Sequence, residues 1–277
     1  MDWTRAASLL FQCVDYIVGQ AEGFAWTVGV TPLSRVSLLA GGVATYLGGI
    51  WLLTRLPASA KRAVSGSAAF KSLVSIHSLI LCLLSLGMFL GGIAAYAGEY
   101  RATKDGAWLV CKEFADASVG PLYFVSYVYY LSKYLELLDT VILALKGKTL
   151  SLLHVFHHAV MPVQTWLWLE HRQSLQEIGL LTNTLIHVIM YHYYFMSSLG
   201  KPPQWKKVVT QSQIIQFVFS FLMGAGFLSV RLRRSAPCSG EVSLMMNVCI
   251  NAAFLTLFIQ FYRKDNTKRR AGAKKKA

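Results

Sequence analysis

The sequence predicts an all-α polytopic membrane protein, on three observations. Hydrophobic residues make up 55% of the 277-residue chain and charged residues only 14%, against about 25% charged in soluble domains, and the mean hydropathy is +0.45. So few charges cannot cover a water-soluble globule, which excludes an ordinary cytosolic enzyme, a disordered protein and a coiled coil. Next, apolar stretches of about 20 residues recur, and that length crosses the hydrocarbon core as a helix. Finally, the alternating segments of about ten residues that build a membrane β-barrel are absent, and helices satisfy their own backbone hydrogen bonds in lipid.

Taken in order, the stretches are 36–53, 73–97, 122–145, 152–169, 178–199, 208–230 and 242–262, which predicts seven transmembrane helices. They divide the chain into an N-terminal segment (1–35), a seven-helix domain (36–262) and a basic tail (263–277). Residues 6–30 are apolar too, but Asp15 and Glu22 interrupt them. An interfacial or luminal helix is expected there rather than an eighth span.

Seven spans put the termini on opposite sides. The chain carries 27 basic and 13 acidic residues, a formal net charge of +14. The loops and tail on the C-terminal side hold 17 basic residues and a single acid, Asp265; the other side holds nine basic and ten acidic residues. The positive-inside rule therefore predicts a cytosolic C-terminus and a luminal N-terminus. A basic soluble chain would point to nucleic acid. Here all the excess lies on one membrane face, so no nucleic acid is expected, and membrane lipid and an anionic ligand are. Lys274 and Lys275, fourth and third from the end, have the form of a dilysine signal for retrieval to the endoplasmic reticulum; a solvated basic tail touching anionic lipid is the plainer reading. Cys111 and Cys238 fall in non-cytosolic loops, where disulfides persist. They are expected to pair, the alternative being two free thiols.

Ionisable groups inside spans are costly and usually functional. Lys133, Glu136 and Asp139, spaced by three, share one side of the third span. For any one such pair, an ion pair that fixes helix packing is the favoured reading. The fourth span carries His154, His157 and His158 at i, i+3 and i+4, on one face, which is not a packing pattern. The fifth carries Asn183, His187 and Tyr191 one turn apart, and the sixth Thr210, Gln213 and Gln216 at spacing three. Asn, Tyr and Gln often serve as interhelical glue, but four consecutive spans turning polar stripes inward argue for a site. The stripes leave three readings open. A metal-dependent lipid oxidase or desaturase needs more ligands than one His-x-x-His-His box offers. A transporter or receptor would bind ligand there without chemistry. Acyl transfer would use imidazole as nucleophile, with neighbouring histidines moving protons.

The linked runs Lys133-x-x-Glu136-x-x-Asp139-Thr140, His154-Val-Phe-His157-His158, Asn183-x-x-x-His187-x-x-Met190-Tyr191-x-Tyr193-Tyr194 and Thr210-x-x-Gln213-x-x-Gln216 resemble the ELO family. These are the condensing enzymes of very-long-chain fatty-acid elongation in the endoplasmic reticulum. The resemblance extends from about Val36 to the C-terminus. The wording around Trp205-Lys206-Lys207 and His171-Arg172-Gln173-Ser174 is similar to the plant and protist branch. The resemblance implies six of seven helices around an acyl-chain tunnel. It implies a very-long-chain 3-oxoacyl-CoA synthase, which joins acyl-CoA and malonyl-CoA into a 3-ketoacyl-CoA two carbons longer, releasing CoA and CO2. It implies His157 as the acylated nucleophile, His187 as its partner, and His154 and His158 as orienting or proton-handling groups. Lys133, Glu136, Asp139, Asn183, Tyr191, Gln213 and Gln216 become the supporting shell. No metal or other cofactor is implied. The partners implied are the ketoacyl reductase, dehydratase and enoyl reductase of the elongation cycle, and a homodimer. CoA phosphates would meet Lys206 and Lys207 first, with Lys201 beside them and Lys146 and Lys148 on the same side; lysine holds phosphate as a point charge.

Overall fold

The computed structural model describes residue 12 and residues 15–104, 106–113 and 118–274; the side chains of 109, 265, 266 and 268–274 lie outside that description. Lys275 and the side chain of Lys274 are therefore not placed, and the retrieval signal falls outside the described residues.

Among the described residues the chain is helical apart from its loops and one isolated bridge, Ala25 to Val119. In order the helices are α1 (Val36–Arg55), α2 (Ala58–Gly66), α3 (Ala68–Thr103), a short 3-10 turn (Gly106–Leu109), α4 (Pro121–Leu145), α5 (Leu152–Glu170), α6 (Gln176–Ser198), α7 (Lys206–Arg231) and α8 (Glu241–Lys274). Each of the seven apolar stretches lies in a helix of its own. Four of them, α1, α3, α7 and α8 through Lys264, are long and apolar enough to cross a membrane by themselves. The chain is thus a multi-pass membrane protein. Helices α4, α5 and α6 are also of spanning length, but they carry the polar stripes and bury much of their surface.

Local chemistry sets the helix boundaries. Pro121 opens α4 at a position where its missing N–H costs nothing. Ser151 caps α5, its Oγ accepting from the backbone N of His154 at 3.2 Å. That cap starts the helix where the three histidines fall on one face. Pro162 lies inside α5 and cannot return a hydrogen bond to the carbonyl of His158.

The helices pack as a ring in the order α3, α4, α5, α8, α7, α6 and back to α3, and α1 lies outside it against α4 and α5. One end of the ring carries Lys146, Lys148, Lys201 and Lys206. The far end is tied down by Cys111–Cys238, a disulfide spanning 127 residues. Around it Ser239 N donates to Lys112 O at 2.8 Å, and Ser174 Oγ donates to Ser239 O at 2.8 Å. Lys112 reaches Glu177 at 2.7 Å. Gly240, at φ +74, presses against the backbone of His171 and Gln173, and a Cβ there would meet His171 O at 2.8 Å. The N-terminal segment folds over the same end. Residues 15–22 are helical, Trp26 Nε1 donates to Glu170 Oε2 at 2.9 Å, and the Phe24 ring stacks on Tyr127.

Closing so long a loop restricts the unfolded chain, so replacing Cys111 and Cys238 with Ser is expected to cost about 2–4 kcal/mol, read as a lower thermal midpoint in detergent. Alkylation of denatured, unreduced protein should leave both cysteines unlabelled. Labelling of both without reductant contradicts the bridge.

Candidate active site

The ring encloses a cavity of about 440 Å³. His154, His157 and His158 reach it from α5, Asn183, His187 and Tyr191 from α6, Glu136 and Asp139 from α4, and Thr210, Gln213 and Gln216 from α7. Four polar stripes that are separate in sequence therefore meet in one space. At its basic end, Lys146 and Lys206 line it. Lys201 and Lys207 are exposed and do not line it. Partial burial and the neighbouring Lys148 pull the Lys146 ammonium below its ordinary range. A bound phosphate would offset both effects.

The histidines form a chain of contacts. The rings of His154 and His158 are 4.3 Å apart between centroids, and those of His157 and His158 5.4 Å. His157 packs on Phe254 of α8 at 4.8 Å, and its Nδ1 is buried without a hydrogen-bond partner in the described protein. His154 Nε2 is 2.8 Å from Thr140 Oγ1, which in turn is 3.0 Å from the Tyr46 hydroxyl of α1. An outer helix thereby braces the first histidine.

Across the cavity, His187 Nδ1 lies 3.4 Å from Glu136 Oε1. The same carboxylate oxygen accepts from Lys133 Nζ at 2.7 Å and from Ser132 Oγ at 3.3 Å. Lys133 and Glu136 are 1% and 2% exposed, so this pair is largely withdrawn from water, with only Glu136 reaching the cavity wall. Lys133 Nζ also lies 3.9 Å from the Tyr129 ring centroid and donates to Asn183 Oδ1 at 3.4 Å. Tyr129 OH donates to that same oxygen at 2.7 Å. Asn183 is thus held by two donors from α4, one turn before His187 on α6. Gln213 Nε2 contacts Met190 Sδ at 3.6 Å.

The structure adds residues that the sequence did not single out. His77 of α3 stands 3.0 Å from Asp139 Oδ1. Behind His157 is a second, smaller chamber of about 40 Å³, sharing His157, Asn183, Gln216 and Phe217 with the main cavity. Its polar walls include Gln164, paired with Asn247, and Asn251, whose Nδ2 donates to Ser220 Oγ at 2.8 Å. The Asn247 and Asn251 spacing of four within an apolar stretch was the available signal for this wall. Among the described residues no three His, Cys, Asp or Glu side chains form a metal-binding group.

Residues 31–275 match the ELO family, described as the GNS1/SUR4 family. The chain belongs to the ELO family. It is 37% identical over 255 residues to "Fatty acid elongase sre1" of Dictyostelium discoideum, covering 89% of this chain and 91% of the relative. It is 28% identical to "Fatty acid elongase 3-like" of Arabidopsis thaliana, over 92% of this chain and 93% of that one. It is 32% identical to "Very long chain fatty acid elongase 2" of Mus musculus, over 81% and 76%. Membership in this family supports a role in fatty-acid elongation, and the mouse relative shows that the likeness crosses from protists and plants to animals.

Proposed function

We propose that this ELO protein is a 3-ketoacyl-CoA synthase of the endoplasmic reticulum membrane, working through an acyl-histidine. The observation that carries the reading is the convergence of His154, His157, His158 and His187 on one cavity with Lys146 and Lys206 at its basic end. The basic end faces the cytosol, where acyl-CoA and malonyl-CoA are met, and the disulfide end faces the lumen.

CoA phosphates bind at Lys146 and Lys206, and the thioester reaches inward to His157. An imidazole nitrogen of His157 attacks the thioester carbonyl: a C–N bond forms, the C–S bond breaks, and CoA leaves as the thiol with a proton relayed by the neighbouring histidines. Malonyl-CoA then takes the same place. Loss of CO2 breaks its C–C bond, and the freed electron pair attacks the acyl carbon. The new C–C bond forms as the acyl–nitrogen bond breaks, and the departing imidazole nitrogen takes up a proton passed from solvent by the neighbouring histidines, which returns His157 as neutral imidazole. His187, positioned by Glu136, holds the carbonyl on which negative charge develops. The balance requires no oxidant, reductant or metal. The 3-keto group is left for the reductase, dehydratase and second reductase that complete an elongation round.

The test is condensation by purified protein in detergent, given a long acyl-CoA and malonyl-CoA labelled in its free carboxyl, without reductant. Label released as CO2 in step with a 3-ketoacyl-CoA two carbons longer supports the reading. Recovery of unchanged acyl-CoA bound to the protein would favour a carrier or receptor. Within the same assay, Lys146→Ala with Lys206→Ala is expected to raise KM for acyl-CoA about tenfold, about 1.4 kcal/mol of lost binding. Lys201→Ala with Lys207→Ala should change it less than about twofold, because neither lines the cavity. Equal effects from both pairs would assign the lysines to general surface charge.

A further inference from the structure

The Asp139 carboxylate is gripped from two helices. His77 Nε2 on α3 is 3.0 Å from its Oδ1, and Tyr191 OH on α6 donates to its Oδ2 at 2.7 Å. Asp139 lines the cavity and His77 does not. The Tyr191 side chain is 1% exposed, and its ring meets the His187 ring edge to face, 5.4 Å between centroids. A continuous path thus runs from His77 through Asp139 and Tyr191 to His187, and each step is a hydrogen bond or a ring contact.

We infer that His77 is a positioning residue for this reaction. It fixes the Asp139 carboxylate so that Tyr191 points its hydroxyl into that carboxylate and its ring against His187. The inference rests on the elongase reading above.

Two grips on one carboxylate remove its rotational freedom. A carboxylate with one bound oxygen can turn about its Cβ–Cγ bond, and a phenol bonded to it follows. With Oδ1 held from α3, Oδ2 has one place for Tyr191. A second tie between the same two helices is the side-chain hydrogen bond of Ser75 Oγ and Ser198 Oγ at 2.8 Å, which limits the sliding of α3 against α6. Reacting groups displaced by about 1 Å can lose about 100-fold in rate. His77 supplies an N–H, and His77→Gln also supplies one at a similar reach. His77→Leu keeps much of the volume and supplies none.

The experiment measures kcat and KM for acyl-CoA in wild type, His77→Leu and His77→Gln, each checked for an unchanged thermal midpoint. His77→Leu should lower kcat about 10- to 100-fold with KM within about twofold, since His77 is off the cavity wall. His77→Gln should recover kcat to within about fivefold of wild type. In a Tyr191→Phe background, His77→Leu should cost little more, because the path is already cut. A His77→Leu enzyme with wild-type kcat overturns the inference, as does a KM that rises in proportion to the loss, or a His77→Gln enzyme no better than His77→Leu. Should His77→Leu not accumulate as folded protein, His77→Asn replaces it, since the shorter amide cannot span the contact. Wild-type protein that makes no ketoacyl product defeats the elongase reading; an active wild type with indifferent His77 variants defeats only this inference.

Discussion

His157→Ala is expected to lower ketoacyl-CoA formation by about 1,000-fold or more, while binding of acyl-CoA and the thermal midpoint stay near wild type. Removing a nucleophile removes the covalent route as a whole, not one contact among several. His157 is singled out by its place. It lines both the main cavity and the small chamber behind it, and it packs against Phe254, a side chain with no polar atom. His154 is instead engaged by Thr140, which suits an orienting role. His154→Ala should therefore retain more activity than His157→Ala. The measurement is product formation under saturating substrates, with acyl-CoA affinity measured separately. If His158→Ala or His154→Ala is the null variant and His157→Ala is active, the nucleophile has been misassigned.

Lys133→Met should produce the largest loss of stability. The Lys133–Glu136 pair is almost sealed from water, and its Coulomb attraction offsets the cost of burying two charges. Removing the cation alone leaves Glu136 as an uncompensated buried carboxylate, which costs about 3–5 kcal/mol. For a chain of this size that lowers the midpoint by roughly 6–20 °C. Replacing both, Lys133→Met with Glu136→Leu, should restore most of the stability, because an apolar pair of similar volume fits a buried site. It should not restore activity, since Glu136 faces the cavity and lies 3.4 Å from His187 Nδ1. A single variant as stable as wild type, or a double variant no better than the single, contradicts this account of the pair.

These two residues show what a sequence can carry. The spacing of Lys133, Glu136 and Asp139, and of His154, His157 and His158, is local, and helix geometry alone puts each set on one face. The apolar stretches are equally local, and each became a helix. Helix ends were less legible: α3 runs on to Thr103 and α8 to Lys274, because polar residues beyond the lipid core can still continue a helix. Partners set by packing were hidden. His77 stood alone in an apolar stretch, and nothing near it in sequence announces Asp139, 62 residues away. At the cavity mouth the sequence offered Lys206 and Lys207 as equals. The first turn of α7 separates them, and Lys206 is the one that lines the cavity, together with Lys146. The polar wall of Gln164, Asn247 and Asn251 escaped notice for the same reason, since each is unremarkable until α5 and α8 are brought together.

Central to the proposed mechanism is His157 carrying the acyl group between the two thioesters. It is tested most directly by incubating purified wild-type protein with acyl-CoA alone and mapping the product by mass. One equivalent of free CoA and one acyl group on the peptide containing His157 are expected, the acyl group being removed when malonyl-CoA is added. Release of CoA only when malonyl-CoA is present, with no acyl adduct on that peptide, would contradict it.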